Sequence, residues 1–330
     1  MTFDVKVLRR TMEVHAQNKQ EHDRMFQNRR AEVIARIPEL GKIESELNLL
    51  GLSIAGAVVA GGDPTSKIRD IKDKANALRK RKAELLKAAG YPEDYLTQKD
   101  LCPQCGDSGY IGSRPCECFL AIYRKEQTKE LSSLFRIAPG RFSDFDLSLY
   151  STETDPTYQV SQQDNMRYVY DFCVRFARDF PGQGDNLLLT GACGLGKTFL
   201  SACIAREVVK KNFSVVYETA FSLAATMEGA RFDRDESAAE RLTRYYKCDL
   251  LIIDDLGTEM TTNYVTAALF DLVNTRLNER KSVIINTNLS HDEIVSRYNE
   301  QIASRLESEY KSLYLFGPPV RKIARKRLQL

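Results

Sequence analysis

The run Gly191-Ala192-Cys193-Gly194-Leu195-Gly196-Lys197-Thr198 constrains this chain more than any other stretch. It has the G-x-x-x-x-G-K-T form of a Walker A loop, and an apolar strand, NLLLT, precedes it while the helical sequence FLSACIAREVVKK follows. Such a loop holds phosphate. Its glycines let backbone amides approach the oxygens, and the helix it opens adds the positive end of its dipole. Lys197 reaches the β and γ oxygens and Thr198 offers a hydroxyl to a cation, so ATP and Mg2+ are the expected cofactors, with residues 191–198 as the cradle.

A partner for this loop lies further along, where Asp254 and Asp255 close the apolar run Leu250-Leu251-Ile252-Ile253, a strand of the kind buried on both faces. This is a Walker B strand: Asp254 is expected to hold magnesium, and Asp255 to orient the attacking water as general base. On their own, two such carboxylates at a strand end serve equally to cap the next helix. Asp is a methylene shorter than Glu, which implies slow hydrolysis, more a switch than a motor. Asn288 ends the strand SVIINTN and is placed to contact the γ-phosphate or the water; a turn-forming Asn is the plainer alternative.

From about residue 156 apolar strands alternate with helices, the pattern of a parallel sheet. The strands NLLLT, FSVVYET, LLIIDD, SVIINTN and SLYLF predict five, and the closing GPPVRKIARKRL leaves no room for a full lid domain. Ahead of this α/β domain, residues 1 to about 90 carry Arg, Lys, Glu and Leu with apolar residues at helical spacing, broken at Pro38 and at Gly61-Gly62-Asp63-Pro64. The expected division is a helical domain over 1–97, a cysteine module over 98–122, a linker helix and connector over 123–155, and the ATPase domain over 156–330.

The cysteine module reads Cys102-Pro-Gln-Cys105, then Cys116-Glu-Cys118. Four thiolates suit one tetrahedral, structural Zn2+, with Cys116 and Cys118 facing the same way on an extended segment. A redox C-x-x-C is the alternative. Cys173, Cys203 and Cys248 read as buried thiols; Cys193, inside the phosphate loop, is open to oxidation. His15, His22 and His291 read as surface residues.

Composition limits the setting. The 48 basic and 45 acidic side chains nearly cancel, so no global field draws the chain to nucleic acid. No apolar run is long enough to span a bilayer and the first residues lack the apolar core of a signal peptide, so a cytoplasmic protein without membrane contact is expected, its thiols reduced.

Taken together, GACGLGKT, LLIIDDLGTE, VIINTNLS, the Ser304-Arg305-Leu306 triplet and the lead-in RFSDFDLSLYS resemble the DnaC/DnaI helicase loaders, AAA+ ATPases of the IstB-like superfamily, over roughly residues 135–322. A helical N-terminus joined by a cysteine cluster is similar to the loader of low-GC Gram-positive bacteria. The resemblance implies an ATPase that loads the hexameric replicative DNA helicase onto single-stranded DNA, gripping the helicase through its N-terminal domain. It implies Arg305 as an arginine finger acting on a neighbouring subunit's ATP, hence a homo-oligomer, although a solvated helix arginine is the other reading. Arg321 stands where part of a lid arginine's role falls. Arg231, Arg241, Arg244 and Lys247 are candidate DNA contacts. The alternative within the superfamily is an IstB-like transposition ATPase that binds duplex DNA and recruits a transposase.

Overall fold

Apolar residues at strand spacing and helical spacing alternate through the second half of the chain, and the computed structural model, which describes residues 3–59, 65–232 and 235–320, turns that alternation into a layered α/β fold. The helices are α1 (Val5–Arg36), α2 (Pro38–Val59), α3 (Thr65–Ala88), α4 (Glu117–Glu130), α5 (Ser132–Ile137), α6 (Gln162–Asp179), α7 (Lys197–Lys210), α8 (Ala220–Phe232), α9 (Glu236–Lys247), α10 (Asn263–Asn278), α11 (His291–Arg297) and α12 (Glu300–Glu309). A two-stranded hairpin pairs β1 (Tyr110–Ile111) with β2 (Arg114–Pro115). The main sheet holds β3 (Leu187–Gly191), β4 (Val215–Thr219), β5 (Leu250–Leu256), β6 (Ser282–Thr287) and β7 (Lys311–Leu315). Among the described residues no helix is long and apolar enough to cross a membrane.

The five expected strands are all present, all parallel, in the order β4-β5-β6-β3-β7. After β3 the chain runs to the far edge at β4, returns strand by strand to β6, and then crosses to β7 on the other side of β3. The carboxyl end of β3 is therefore the switch point at which an open α/β sheet binds its ligand. The expected five-stranded parallel sheet, with helices on its faces, is thus present.

Burial on both faces explains the uninterrupted apolar strands. Successive side chains point to opposite faces, so Leu250 and Ile252 join a core with α6 and α7 while Leu251 and Ile253 join one with α8, α10 and α12.

The chain divides into two compact units, Glu13–Phe119 and Met1–Met12 with Leu120–Leu330. In the first, Pro38 opens α2 as its first residue, where its missing amide costs nothing. Val33, Leu40, Leu86 and Leu96 form its core. Glu44 accepts from Arg30 at 2.6 Å and Lys82 at 2.8 Å; burial disfavours its charge, but these two cations outweigh that and hold its carboxyl below the usual range. The expected break at residues 61–64, the tail and Arg321 lie outside the described residues.

In the second unit the start of α1 is tied down by charge. Arg244 in α9 donates to Asp4 at 2.6 Å and Glu130 at 3.4 Å, and Glu130 also pairs with Lys6 and Arg10. Arg244 is thus mostly buried in an ion-pair network, which corrects its reading as a DNA contact.

Candidate functional site

The phosphate loop leaves β3 under tight backbone constraint. At Gly191, φ is 130° and a Cβ would lie 1.9 Å from the Leu315 carbonyl oxygen of the neighbouring β7, so only glycine fits. Gly196, φ 111°, caps α7, which opens at Lys197. Leu195 anchors the loop in the core, the Tyr150 hydroxyl donates to its carbonyl at 3.1 Å, and the Val320 amide donates to that of Gly194 at 3.1 Å. Ala192 and Cys193 are exposed.

Lys197 is buried, its ammonium donating to the carbonyls of Gly191 (2.5 Å) and Ala192 (2.9 Å) and to Asn288 Oδ1 (2.5 Å). Thr190 and Thr287 are paired in register, so Asn288, the residue after β6, emerges beside the loop. The contact brings Asn288 into the site, beyond what a turn residue requires.

Asp254 is 3% exposed and is met by donors from three elements: Thr198 Oγ1 at 3.1 and 3.2 Å, Tyr217 Oη at 2.8 Å and Asn286 Nδ2 at 2.8 Å. A hydroxyl beside a carboxylate is a hard-oxygen donor set that fits magnesium. Burial, and then the carboxylate of Asp254, push the Tyr217 hydroxyl well above its ordinary pKa, so it stays a donor. Tyr217 and Asn286 were not legible in the sequence; the one trace is a polar residue interrupting each apolar strand.

Asp255 follows Asp254 at the exposed end of the strand. The β5–β6 register shifts between Ile253 and Leu256, and Asp255 takes φ 54°, turning its side chain to the exposed surface at the strand end. Its carbonyl accepts from the Thr258 hydroxyl at 2.9 Å. Arg305 is half exposed on α12, with Glu309 on the next turn at 3.7 Å as its ion-pair partner among the described residues. Arg231, Arg241 and Lys247 are exposed.

In the other unit Cys102, Cys105, Cys116 and Cys118 bring their sulfurs within 4.8 Å of one another, Cys102 to Cys116 at 3.7 Å and Cys105 to Cys118 at 3.6 Å. The amides of Cys105 and Gly106 donate to the Cys102 carbonyl, and Asp107 accepts from the amides of Leu101 and Cys102, closing a tight knuckle. Four converging thiols fit one tetrahedral zinc. Burial opposes charge on Cys105, yet the Gly109 amide and the neighbouring thiols outweigh it and bring its pKa to about 7. One expectation is corrected: Cys118 lies in the first turn of α4, not on an extended segment, so helix geometry swings it toward Cys105.

Cys173, Cys203 and Cys248 are buried, while Cys193 is exposed. His15 and His22 are half-buried, not surface residues; the His15 ring lies 5.8 Å from that of Phe119, because this face of α1 packs against the cysteine module. His291 is exposed.

A family model described as IstB-like ATP binding protein matches residues 151–305. The chain is 31% identical over 163 residues to the replicative helicase loader DnaI of Bacillus subtilis (strain 168), covering 46% of this chain and 50% of that protein. It is 24% identical over 159 residues to the replicative helicase loader DnaC of Buchnera aphidicola subsp. Acyrthosiphon pisum (strain APS), covering 48% and 64%. A putative insertion sequence ATP-binding protein of Sinorhizobium fredii (strain NBRC 101917 / NGR234) is 34% identical over 107 residues, covering 32% and 35%. The chain thus spans less than two thirds of the length of these relatives. The resemblance to the DnaC/DnaI group of the IstB-like superfamily, read first from the motifs, holds in these comparisons, and residues 1–150 lie outside the family match.

Proposed function

We propose that this IstB-like domain serves an ATP-dependent loader of a replicative DNA helicase. The observation that carries the reading is that Lys197, Thr198, Asp254 and Asn288 converge within the segment that matches the IstB-like ATP-binding model, in a chain whose similar proteins include replicative helicase loaders.

In this reading the amides at the start of α7 and the Lys197 ammonium bind the ATP phosphates. Thr198 and Asp254 hold magnesium, which supplies positive charge against the phosphate oxygens. Asp255 orients the attacking water and Asn288 keeps Lys197 and the terminal phosphate in line. Hydrolysis is slow because the Asp255 carboxylate is short. Arg305 reaches the ATP of a neighbouring copy, making the active species a homo-oligomer. The helical segment 1–97 grips the helicase, the zinc module 98–122 stiffens the junction, and residues 123–155 connect them to the ATPase domain 156–330. Single-stranded DNA follows exposed basic residues, Arg231, Arg241 and Lys247, through backbone contacts with weak sequence preference. The setting is the cytoplasm.

The insertion-sequence relative favours a second reading, an ATPase of transposition that coats duplex DNA. Size-exclusion chromatography with light scattering, mixing the full chain with the host's replicative helicase with and without ATP, separates the two. A complex formed with the helicase supports the loader; no complex in any nucleotide state, with length-dependent binding to duplex DNA, supports transposition.

A further inference from the structure

We propose that Asn286 is a positioning residue for the cation side of the nucleotide site, acting through a buried relay from Ser201 to Asp254; this rests on the reading of Asp254 as a magnesium holder. Asn286 sits inside β6, opposite Leu189 of β3, and is 0% exposed. An amide in such a place costs free energy unless both of its ends are satisfied. Both are: Oδ1 accepts from Ser201 Oγ at 2.9 Å, and Nδ2 donates to Asp254 Oδ1 at 2.8 Å.

The amide has one workable orientation. Turned over, it would set its own oxygen against the Asp254 carboxylate, two acceptors facing each other with no proton between them. Ser201, itself 0% exposed, lies one turn beyond Lys197 on α7, and its hydroxyl supplies the hydrogen that the amide oxygen accepts in that orientation. The relay thus links the helix that opens under the phosphates, the strand that leads to Asn288, and the strand that carries Asp254. Tyr217 donates to the other oxygen, Oδ2, at 2.8 Å, so both carboxylate oxygens are held by donors of the chain itself. Groups that orient a metal-holding carboxylate in this way are typically worth about 10–100-fold in metal affinity.

The test follows binding of ATP carrying a fluorescent ribose label to the full chain, titrated with magnesium chloride and separately in EDTA. The variants are Asn286→Leu, Asn286→Asp and Ser201→Ala, each checked by thermal melting, with Asp254→Asn alongside. In Asn286→Asp the Ser201 hydroxyl keeps an acceptor, but a second carboxylate faces Asp254. The magnesium concentration for half-maximal effect is expected to rise about tenfold or more in both Asn286 variants, and less in Ser201→Ala, with binding in EDTA unchanged. A folded Asn286→Asp protein with the wild-type magnesium requirement overturns the proposal, as does an equal loss of binding with and without magnesium. If Asp254→Asn also leaves the magnesium requirement unchanged, it is the reading of Asp254 itself that fails.

Discussion

Lys197 has neutral oxygens of its own loop and Asn288 as partners, while Asp255 stands exposed at the end of its strand. The two residues therefore answer to different measurements. Lys197→Ala removes the cation that meets the phosphates and is expected to weaken ATP binding by more than about tenfold in calorimetry. Asp255→Asn keeps the shape and loses the base; ATP affinity should stay within about twofold of wild type while turnover falls by about 100-fold. Comparable loss of binding in both variants would refute this division of labour. These residues were legible because a phosphate loop needs glycine, lysine and threonine at fixed spacing, and a Walker B strand ends in acid. Asn286 and Tyr217 were not, because their role depends on which atoms the sheet brings to Asp254, and no spacing along the chain records that.

At the scale of elements, α9 is bound to the start of α1 by charge. Arg244, Asp4 and Glu130 are largely buried, so Arg244→Ala leaves two carboxylates short of a partner. We expect a loss of about 2 kcal/mol in urea unfolding, below the figure for a fully enclosed pair because Arg244 keeps some solvent contact. Burial works against the charge of Glu130, but Lys6, Arg244 and Arg10 hold its carboxyl below the usual carboxylate range. A depressed carboxyl contributes stability above its unfolded pKa and loses it as pH falls through the folded value. The gap between wild type and variant should therefore narrow below about pH 4.5; a gap that widens in acid would contradict the network. The cysteine module makes a separate prediction: about one zinc per chain by elemental analysis, with Cys105→Ser losing both the metal and resistance of residues 98–122 to proteolysis. A metal-free wild-type protein with an intact module would contradict it. The C-x-x-C and C-x-C spacings made the cluster legible, whereas the helical start at Cys118 was not, because spacing alone does not say whether the second pair is extended or opens a helix.

For the whole molecule, the five strands were legible because strands buried on both faces are written as unbroken apolar runs, as in Leu250-Leu251-Ile252-Ile253. Their order across the sheet was not legible, since nothing along the chain records that β6 lies between β5, which carries Asp254, and β3, which leads into the phosphate loop. The parts that no local pattern encodes are the tie between Arg244 and Asp4, far apart in sequence, and the choice of partner. That choice is the central claim, and loading of the replicative helicase onto covalently closed single-stranded DNA circles tests it most directly, because a circle has no end to thread. With ATP, the full chain should place the helicase on the circle at several times the level of helicase alone, and Lys197→Ala should not. Loading that never exceeds that of helicase alone, or that persists undiminished with Lys197→Ala, would contradict an ATP-switched loader.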